Sequence, residues 1–196
     1  EVWVVGAADN LATVTNNTGR YYFNVENGAS IRARNFLFEY MAENGIYIKD
    51  GAVIDNDYNF SYGTFTNPAA GGTCLRIENN QEFTEVNGFP IVELSFPVNP
   101  GGGGFNITKT IAAGGAIEIV DYSGEFAGED YDNDPDDLIT WIAPPYLIWT
   151  GDIDNDWFKA GNWEVPSGPD RIPLLTDIVE IGQRTNQPLI SIDGAV

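Results

Sequence analysis

Short runs rich in Val, Ile, Thr, Tyr and Phe recur along the whole chain, and Gly, Asn and Asp separate them. A run of about five to eight such residues is typical of a β-strand, whereas an amphipathic helix needs a longer segment with a period of about 3.6 residues. The runs are RYYFNVE (20–26), SIRARNF (30–36), GIYIKD (45–50), NFSYGTF (59–65), CLRIENN (74–80), PIVELSF (90–96), FNITKTI (105–111) and AIEIVDY (116–122). The best helical candidate, FLFEYMA (36–42), is short and flanked by strand-like runs. The sequence therefore predicts an all-β protein.

Two internal echoes narrow the architecture. ENGASI (26–31) returns as ENGIYI (43–48), and an Asn-Gly step before a β run predicts a turn that leads into a strand. LFEYM (37–41), YGTFT (62–66) and VELSF (92–96) are each followed by a polar turn and a second strand. Such repeating units with uneven loops fit a right-handed parallel β-helix, in which like residues stack from coil to coil. An antiparallel β-sandwich also fits short strands with turn signals, so the pattern alone leaves both architectures open.

A change of composition predicts a domain boundary. The segment 121–141, DYSGEFAGEDYDNDPDDLITW, holds eight carboxylates and no basic residue. It is followed by IAPPYLI (142–148), in which two prolines favour a stiff, extended break. We therefore expect β-helix coils with an acidic cap segment over 1–141, a linker at 142–148, and the start of an incomplete β module over 149–196. Both ends of the chain fall on strand-like runs, which favours a segment of a longer protein.

The charge and the missing residue types limit the chemistry. A net charge of −20, from 29 acidic and 9 basic residues, is expected to repel nucleic acid and anionic membrane surfaces and to attract cations such as Ca²⁺. No apolar run approaches the ~18 residues of a membrane helix. The chain has no histidine, and its one cysteine, Cys74, lies in a strand-like run where we expect it to be buried. Zinc, haem and thiol chemistry are therefore not expected.

Three stretches carry a wider resemblance: YYFNVENGASIRARNFLFEYMAENGIYIKDGAVIDNDYNFSYGTF, GTCLRIENNQEFT and GEFAGEDYDNDPDDLITW. They resemble the C-terminal coils of β-helix regions in large surface proteins of Bacteroidota, which the type IX secretion system exports and which include gliding-motility adhesins. The tail is similar to a module common in the same proteins, with the pattern W-x-G, W, N-W, a proline-containing turn, D-x-V-x-I and N-x-P-x-I. The matching positions are Trp149, Gly151, Trp157, Asn162, Trp163, Asp177, Val179, Ile181, Asn186, Pro188 and Ile190.

This resemblance implies a secreted, extracellular, multi-domain protein of the cell surface that is mostly non-enzymatic. It also implies a parallel β-helix that leads into a β-sandwich-like module. The implied partners are neighbouring domains of the same long chain and the type IX secretion machinery during export, with surface glycans as a further candidate. The function to expect is that of a structural or adhesive segment, a rigid stalk or spacer for surface adhesion or gliding.

The acidic loop EDYDNDPDD (129–137) is the first candidate metal site. It brings Asp130, Asp132 and Asp134 together with three further carboxylates, and like charges held in one loop repel unless a cation lies among them. Calcium, which prefers oxygen ligands, is the metal that this loop would bind. The alternative is an acidic loop at the end of the coils that binds nothing.

DIDND, at the start of the tail, is the second candidate metal site. Asp152, Asp154 and Asp156 alternate as they do at the start of a calcium loop. An EF-hand is excluded, because Trp157 and Trp163 occupy the sixth and twelfth positions, where Gly and an acid are required. A calcium site that also uses backbone carbonyls remains one interpretation. The other is a solvated turn in which Asp side chains cap backbone N–H groups.

The aromatic residues of the tail raise the question of sugar binding. A flat ring suits the apolar face of a pyranose, so Trp149, Trp157, Trp163 and Phe158 are candidates for a stacking platform. The tryptophans are also pattern positions of the module, and we expect them to pack in a core. Trp141 is expected to cap the apolar end of the coils.

Catalytic and cofactor-binding residues are not expected. The strand carboxylates Glu93, Glu118 and Asp121 leave a two-carboxylate glycosidase open, since spacing in sequence does not fix the distance between carboxyl groups. The alternatives to a structural segment are therefore a carbohydrate-binding module and a fragment of a β-helix enzyme that degrades polysaccharides.

Overall fold

The protein is described from a computed structural model, which covers residues 1–111, 114–143, 146–164, 170–173 and 177–189. Strands are its only extended regular elements, and the helical residues in these ranges form two short 3₁₀ turns, Glu129–Tyr131 and Ala160–Asn162. The all-β prediction is confirmed, and 36–42 is not helical but falls on two strands that Tyr40 separates. The chain divides into two compact units, Glu1–Ala143 and Pro144–Val196. Within the described ranges, no helix has the length and apolar character needed to cross a membrane.

The described residues of the first unit form thirteen short strands that return repeatedly to the same sheets. They are β1 (Val2–Val5), β2 (Ala12–Val14), β3 (Tyr21–Val25), β4 (Ser30–Arg34), β5 (Phe36–Glu39), β6 (Met41–Ile48), β7 (Val53–Asn59), β8 (Thr64–Thr66), β9 (Thr73–Ile77), β10 (Ile91–Val92), β11 (Phe105–Thr108), β12 (Ile117–Val120) and β13 (Ile139–Ile142). The sheets have the orders β1-β4-β7, β2-β5-β8, β3-β6-β9-β11 and β10-β12-β13.

All pairings between these named strands are parallel. A parallel partner cannot be reached by a tight hairpin, so the chain must leave a sheet and come back to it. Strands β1, β2 and β3 lie in three different sheets, and β4, β5 and β6 then pair with them one by one. This parallel, every-third-strand pairing argues against the antiparallel sandwich as the architecture of this unit.

The second sequence echo predicted which strands are equivalent, and the register confirms it. Phe38 of LFEYM pairs with Phe65 of YGTFT. Thr64 forms a parallel bridge to Ser95 of VELSF. The strands that follow these units pair in the same way, with Ile46 opposite Leu75 and Leu75 opposite Ile107.

Stacked side chains fill the interior of the first unit. The rings of Phe38 and Phe65 lie 5.7 Å apart at 15°, and those of Phe65 and Phe96 lie 5.5 Å apart at 11°. All three are fully buried, as are Ile46 and Leu75 on the neighbouring sheet. Burying a side chain of this size contributes about 1.5–3 kcal/mol, and offset aromatic stacking adds about 0.5–1.5 kcal/mol. The core is therefore a set of ladders that run across the strands.

The prediction that both Asn-Gly steps of the first echo form turns is correct for one copy and wrong for the other. Asn27-Gly28 is a turn before β4, with Gly28 at φ 77°, as predicted. The second copy, Asn44-Gly45, lies inside β6, where the register against β3 shifts between Tyr21 and Phe23. A Cβ on Gly45 would come within 2.2 Å of the Cys74 carbonyl oxygen, so this glycine permits a bulge pressed against the next strand.

One corner of the first unit repeats a left-handed backbone conformation without glycine. Asn35, Tyr62, Glu93 and Asp121 all have φ between 50° and 59°. Their N–H groups donate along the stack, for example from Tyr62 to the Val92 carbonyl at 2.8 Å. An L-residue pays about 1–2 kcal/mol for this conformation, which the recurring hydrogen bond offsets.

The boundary between the units falls in the proline-containing stretch, but the linker is shorter than 142–148. Ile142 is still the last residue of β13, and Tyr146–Trp149 form the next strand, β14. The two prolines lie outside the described residues.

The second unit contains β14, β15 (Trp163–Glu164) and β16 (Ile178–Glu180). β14 is central, antiparallel to β15 and parallel to β16. The described part of this unit thus forms one mixed sheet, and Ile190, the last position of the tail pattern, lies outside it.

Candidate functional site

The first acidic loop, 129–137, is joined to the strands of the first unit through its backbone. Asn133 N–H donates to the Ile107 carbonyl at 2.9 Å, and its carbonyl accepts from Lys109 N–H at 3.0 Å. Tyr131 packs on Phe126 with ring centroids 5.0 Å apart. The loop is therefore held in place by the strand β11 and by the core, rather than by contacts among its own carboxylates.

Asp132 is the carboxylate of this loop with the largest change in proton affinity. Partial burial raises the pKa of Asp132 to about 6, with smaller contributions from the charges of Glu129, Asp134 and Asp137, while the hydrogen bond from Trp141 lowers it. That bond runs from Trp141 Nε1 to Asp132 Oδ2 over 2.7 Å. The pKa of Glu129 is raised for the same reasons, burial first and neighbouring carboxylates second. The remaining candidate, Asp130, is exposed.

Lys109 is a fully buried lysine beside this loop. Its Nζ donates to the Asn79 carbonyl oxygen at 3.0 Å. Burial lowers the pKa of Lys109, and the charge of Asp134 partly restores it. Asp134 Oδ2 accepts from Ile139 N–H, whereas Asp134 Oδ1 and Asn79 Oδ1 are buried without a hydrogen-bond partner among the described residues.

The second acidic loop is organised around Asn162, whose side chain is fully buried. Asn162 Oδ1 accepts from the N–H groups of Ile153 at 2.9 Å and Asp154 at 3.1 Å. Its Nδ2 donates to Asp154 Oδ1 at 3.0 Å and to the Asp156 carbonyl at 2.9 Å. The side-chain amide of Asn162 thus makes four hydrogen bonds, which is its full capacity. These bonds fix the backbone path of DIDND around it.

The aspartates of this loop use their side chains for local bonds. Asp154 Oδ1 accepts from Asp156 N–H at 2.9 Å, and Asp156 Oδ1 accepts from Phe158 N–H at 3.0 Å. Asp154 also pairs with Lys159. The hydrogen bonds from Lys159, Asp156 N–H and Asn162 lower the pKa of Asp154 to about 2. The interpretation of DIDND as Asp residues that cap backbone N–H groups is confirmed, while Asp152 is exposed.

The tryptophans of the tail pack against one another. Trp149 and Trp163 are buried with ring centroids 5.0 Å apart, and Trp157 lies 4.6 Å from Trp163 in an edge-to-face arrangement. Trp149 Nε1 donates to the Asn186 carbonyl at 2.7 Å, and Trp163 Nε1 donates to the Trp157 carbonyl at 2.9 Å. Core packing is confirmed for Trp149 and Trp163, and the exposed aromatic residue of the group is Phe158.

The other predicted positions are dispersed over the first unit. Cys74 is buried as expected, and burial raises the pKa of its thiol. Glu118 Oε2 accepts from Glu85 N–H. Glu93 and Asp121 occupy the left-handed corner. Trp141 packs edge-to-face on Phe96 and Tyr122, at 5.9 and 5.1 Å.

The geometry gives no metal centre in the part of the chain that the structure describes. Over these residues, no three or more acidic or cysteine side chains are grouped so that they could hold a metal ion. Calcium at Asp130, Asp132 and Asp134 or at Asp152, Asp154 and Asp156 therefore stays a prediction without geometric support.

Comparison of the chain with known protein families, with curated proteins and with solved structures finds no match. The resemblance to Bacteroidota surface proteins consequently stays a hypothesis based on sequence pattern.

Two structurally important polar residues, Asn162 and Lys109, lie at positions that carry a signal in the sequence. Asn162 is the Asn of the N-W step, directly before a buried tryptophan. Lys109 lies two residues after buried Ile107, which is the spacing of one strand face. Neither position could be assigned as buried without knowing which loop covers it.

Proposed function

We propose that this chain is a non-enzymatic, structural segment of a larger cell-surface protein, in which the first unit acts as a rigid spacer. We further propose that this unit is a right-handed parallel β-helix. The observation that carries both proposals is the in-register stack of Phe38, Phe65 and Phe96 beside that of Ile46, Leu75 and Ile107.

Such ladders suit a mechanical role for a physical reason. Each coil buries its apolar side chains only against its neighbours, so stability accumulates from coil to coil. Backbone hydrogen bonds connect every coil to the next in parallel sheets, for example Lys49 N–H to the Val25 carbonyl at 3.1 Å and Glu78 N–H to the Ile48 carbonyl at 2.8 Å. Bending the stack would have to break many such bonds together, which makes the unit stiff.

The proposed location is the outside of the cell, after export by the type IX secretion system. Its support is the sequence resemblance described above. The acidic composition also fits a surface segment that stays soluble and avoids nucleic acid. The second unit is proposed as the start of the next β-sandwich-like module, and neighbouring domains of the same chain are its proposed partners.

The spacer proposal is tested by pulling on the whole chain with handles at Glu1 and Ala143 in single-molecule force spectroscopy. We expect a stiff unit that resists extension until its coils unfold. The matched variant is Phe65→Ala, which removes the central ring of the stack and should cost about 3–5 kcal/mol of unfolding free energy and lower the unfolding force. Tyr22→Ala, at a tyrosine that is 64% exposed, is the control and should leave both quantities unchanged.

Two outcomes would overturn the proposal. A unit that extends like an unfolded chain at low force is no spacer. Turnover of a neutral polysaccharide in a reducing-sugar assay, abolished by Glu118→Gln or Asp121→Asn, would make the chain an enzyme. An experimental structure decides the handedness of the proposed β-helix.

A further inference from the structure

A concavity lies on the first unit where its parallel pairing is interrupted. Ile31 pairs with Ile54, but Ala33 pairs with Asn59, so residues 55–58 bulge away from β4. A groove of about 570 Å³ opens beside this bulge, between it and the segment 88–90. Ligand sites commonly have volumes of about 300–1,000 Å³.

The wall of the groove is aromatic on two sides. Tyr58 lines it from the bulge, and Phe89 lines it from the opposite segment, both half-buried. The aromatic surface continues outward, because the ring of Trp3 lies 6.3 Å from that of Tyr58. Trp3 is 56% exposed, an unusual state for the largest apolar side chain.

The Trp3 ring at the rim of the groove is held in position without a ligand. Arg32 Cζ lies 4.3 Å from the centre of the Trp3 ring, and Arg32 Nε donates to Asp55 Oδ2 at 2.8 Å. The cation–π contact and the ion pair restrict the rim of the groove.

The floor of the groove is equally well fixed. Buried Asn59 donates from Nδ2 to the carbonyls of Phe89 at 2.9 Å and Pro90 at 3.1 Å. Buried Ser61 donates to Asn59 Oδ1 at 2.6 Å and accepts from Val92 N–H at 3.0 Å. These bonds join the two sides, so a ligand would not have to order the groove on binding.

The polar side chains that line the edge of the groove have charges that cancel. Arg34 lines the groove, stacks 4.5 Å from the centre of the Tyr62 ring, and donates from Nη1 to the Asp57 carbonyl at 2.9 Å. Asn56 and the carboxylate-bearing Asp57 are exposed at the same edge. One guanidinium, one carboxylate and one amide supply donors and acceptors without a net charge.

We propose that this groove binds a neutral oligosaccharide. Apolar pyranose faces suit Tyr58, Phe89 and Trp3, and ring hydroxyls suit the donors and acceptors of Arg34 and Asp57. An anionic saccharide is repelled by the net charge of −20. The site does not depend on the spacer function, and the two are tested by separate measurements.

The test is isothermal titration of the whole chain with cellohexaose, mannohexaose, xylohexaose and maltohexaose, each to about 10 mM. We expect saturable binding of at least one hexaose. Tyr58→Ala should weaken it about tenfold, and Trp3→Ala, at an exposed position that leaves the fold intact, should weaken it several-fold. Tyr22→Ala, the exposed tyrosine on β3, is the matched control and should bind within about twofold of the wild type.

Amide chemical shifts of the wild-type chain give a readout independent of the variants. On saturation, the largest changes should fall on residues 55–61 and 88–92 rather than near Phe158. The proposal is overturned if no neutral hexaose binds, if Trp3→Ala and Tyr58→Ala both bind like the wild type, or if the shifts map to the second unit. Tighter binding of a hexagalacturonate or of a peptide would also overturn it.

Discussion

The two acidic loops look alike in sequence and differ in electrostatics. In 129–137 the carboxylates are crowded at the edge of the core, and the pKa of Asp132 rises to about 6. In DIDND each carboxylate of Asp154 and Asp156 accepts a backbone hydrogen bond, and the pKa of Asp154 falls to about 2. A pattern of alternating aspartates therefore does not predict the pKa values of their carboxyl groups. The residues that contact each carboxylate determine whether its charge is stabilised.

The difference also bears on calcium. Neighbouring carboxylates contribute to the raised pKa values of Glu129 and Asp132, and a cation would relieve that repulsion, whereas Asp154 and Asp156 already accept backbone N–H groups and gain less from one. Four experiments test this contrast between the two loops.

The largest effect is expected at Asn162 in the second unit. Asn162→Ala removes four hydrogen bonds and leaves the N–H groups of Ile153 and Asp154 without their acceptor, which should cost about 3 kcal/mol of unfolding free energy. The indole N–H resonances of Trp149 and Trp163 report on this unit during urea unfolding. The control is Asn155→Ala, at an exposed neighbour, and equal stability of the two variants would contradict the role assigned to Asn162.

Next in size is Lys109 beside the first loop. Lys109→Met removes the donor to the Asn79 carbonyl oxygen and the positive charge beside Asp134, so it should lower the unfolding free energy by about 2 kcal/mol at pH 7. Urea unfolding measures the change. Lys49→Met, at a half-exposed lysine paired with Glu26, should alter stability by less than about 0.5 kcal/mol. An equally stable or more stable Lys109→Met protein would show that burial of the ammonium costs more than these contacts contribute.

The pH dependence should have opposite signs in the two loops. The pKa of folded Asp132, about 6, lies above its usual value, so its contribution is fully present below about pH 4 and is lost as pH rises through 6. Solvent screening limits this loss to about 1 kcal/mol. The pKa of folded Asp154 is depressed, so its contribution is present above about pH 4 and is lost as pH falls through 2.

Asp132→Asn separates the two titrations. It should keep an oxygen acceptor for Trp141 Nε1 and abolish the loss of stability between pH 4 and 6. The Trp141 indole proton, followed by NMR, should titrate near pH 6 in the wild type. A midpoint near the usual value for aspartate would show that Asp132 is solvated.

The smallest effect is expected from calcium. Since no group of three carboxylates that could hold a metal ion is present among the described residues, Ca²⁺ added to chelator-treated protein should leave the melting temperature unchanged. A saturable rise in melting temperature that Asp130→Asn abolishes, and Asp152→Asn does not, would assign calcium to the first loop.

Much of the fold could be predicted because it depends on local pattern. Runs of β-branched and aromatic residues marked most strands, and the echo of LFEYM in YGTFT aligned Phe38 with Phe65. The strands β2 and β13 were missed, most of β7 lay outside the predicted runs, and most of β14 fell in the predicted linker 142–148, because few residues there carried the pattern. The bulge at Gly45 was taken for a turn, because an Asn-Gly step permits positive φ in both settings.

The amino-acid sequence alone predicts a chain that is all-β, acidic, free of histidine and organised in equivalent strand–turn–strand units, since composition and periodicity are read directly from the residues. The three-dimensional structure was needed to find that the pairing in the first unit is parallel, that Asn162 organises DIDND, and that Asp132 and Asp154 differ in pKa. The groove at Tyr58 likewise exists only after β7 bulges beside 88–90. The physical reason is common to all of these: pairing, burial and proton affinity are set by neighbours that lie tens of residues away in sequence.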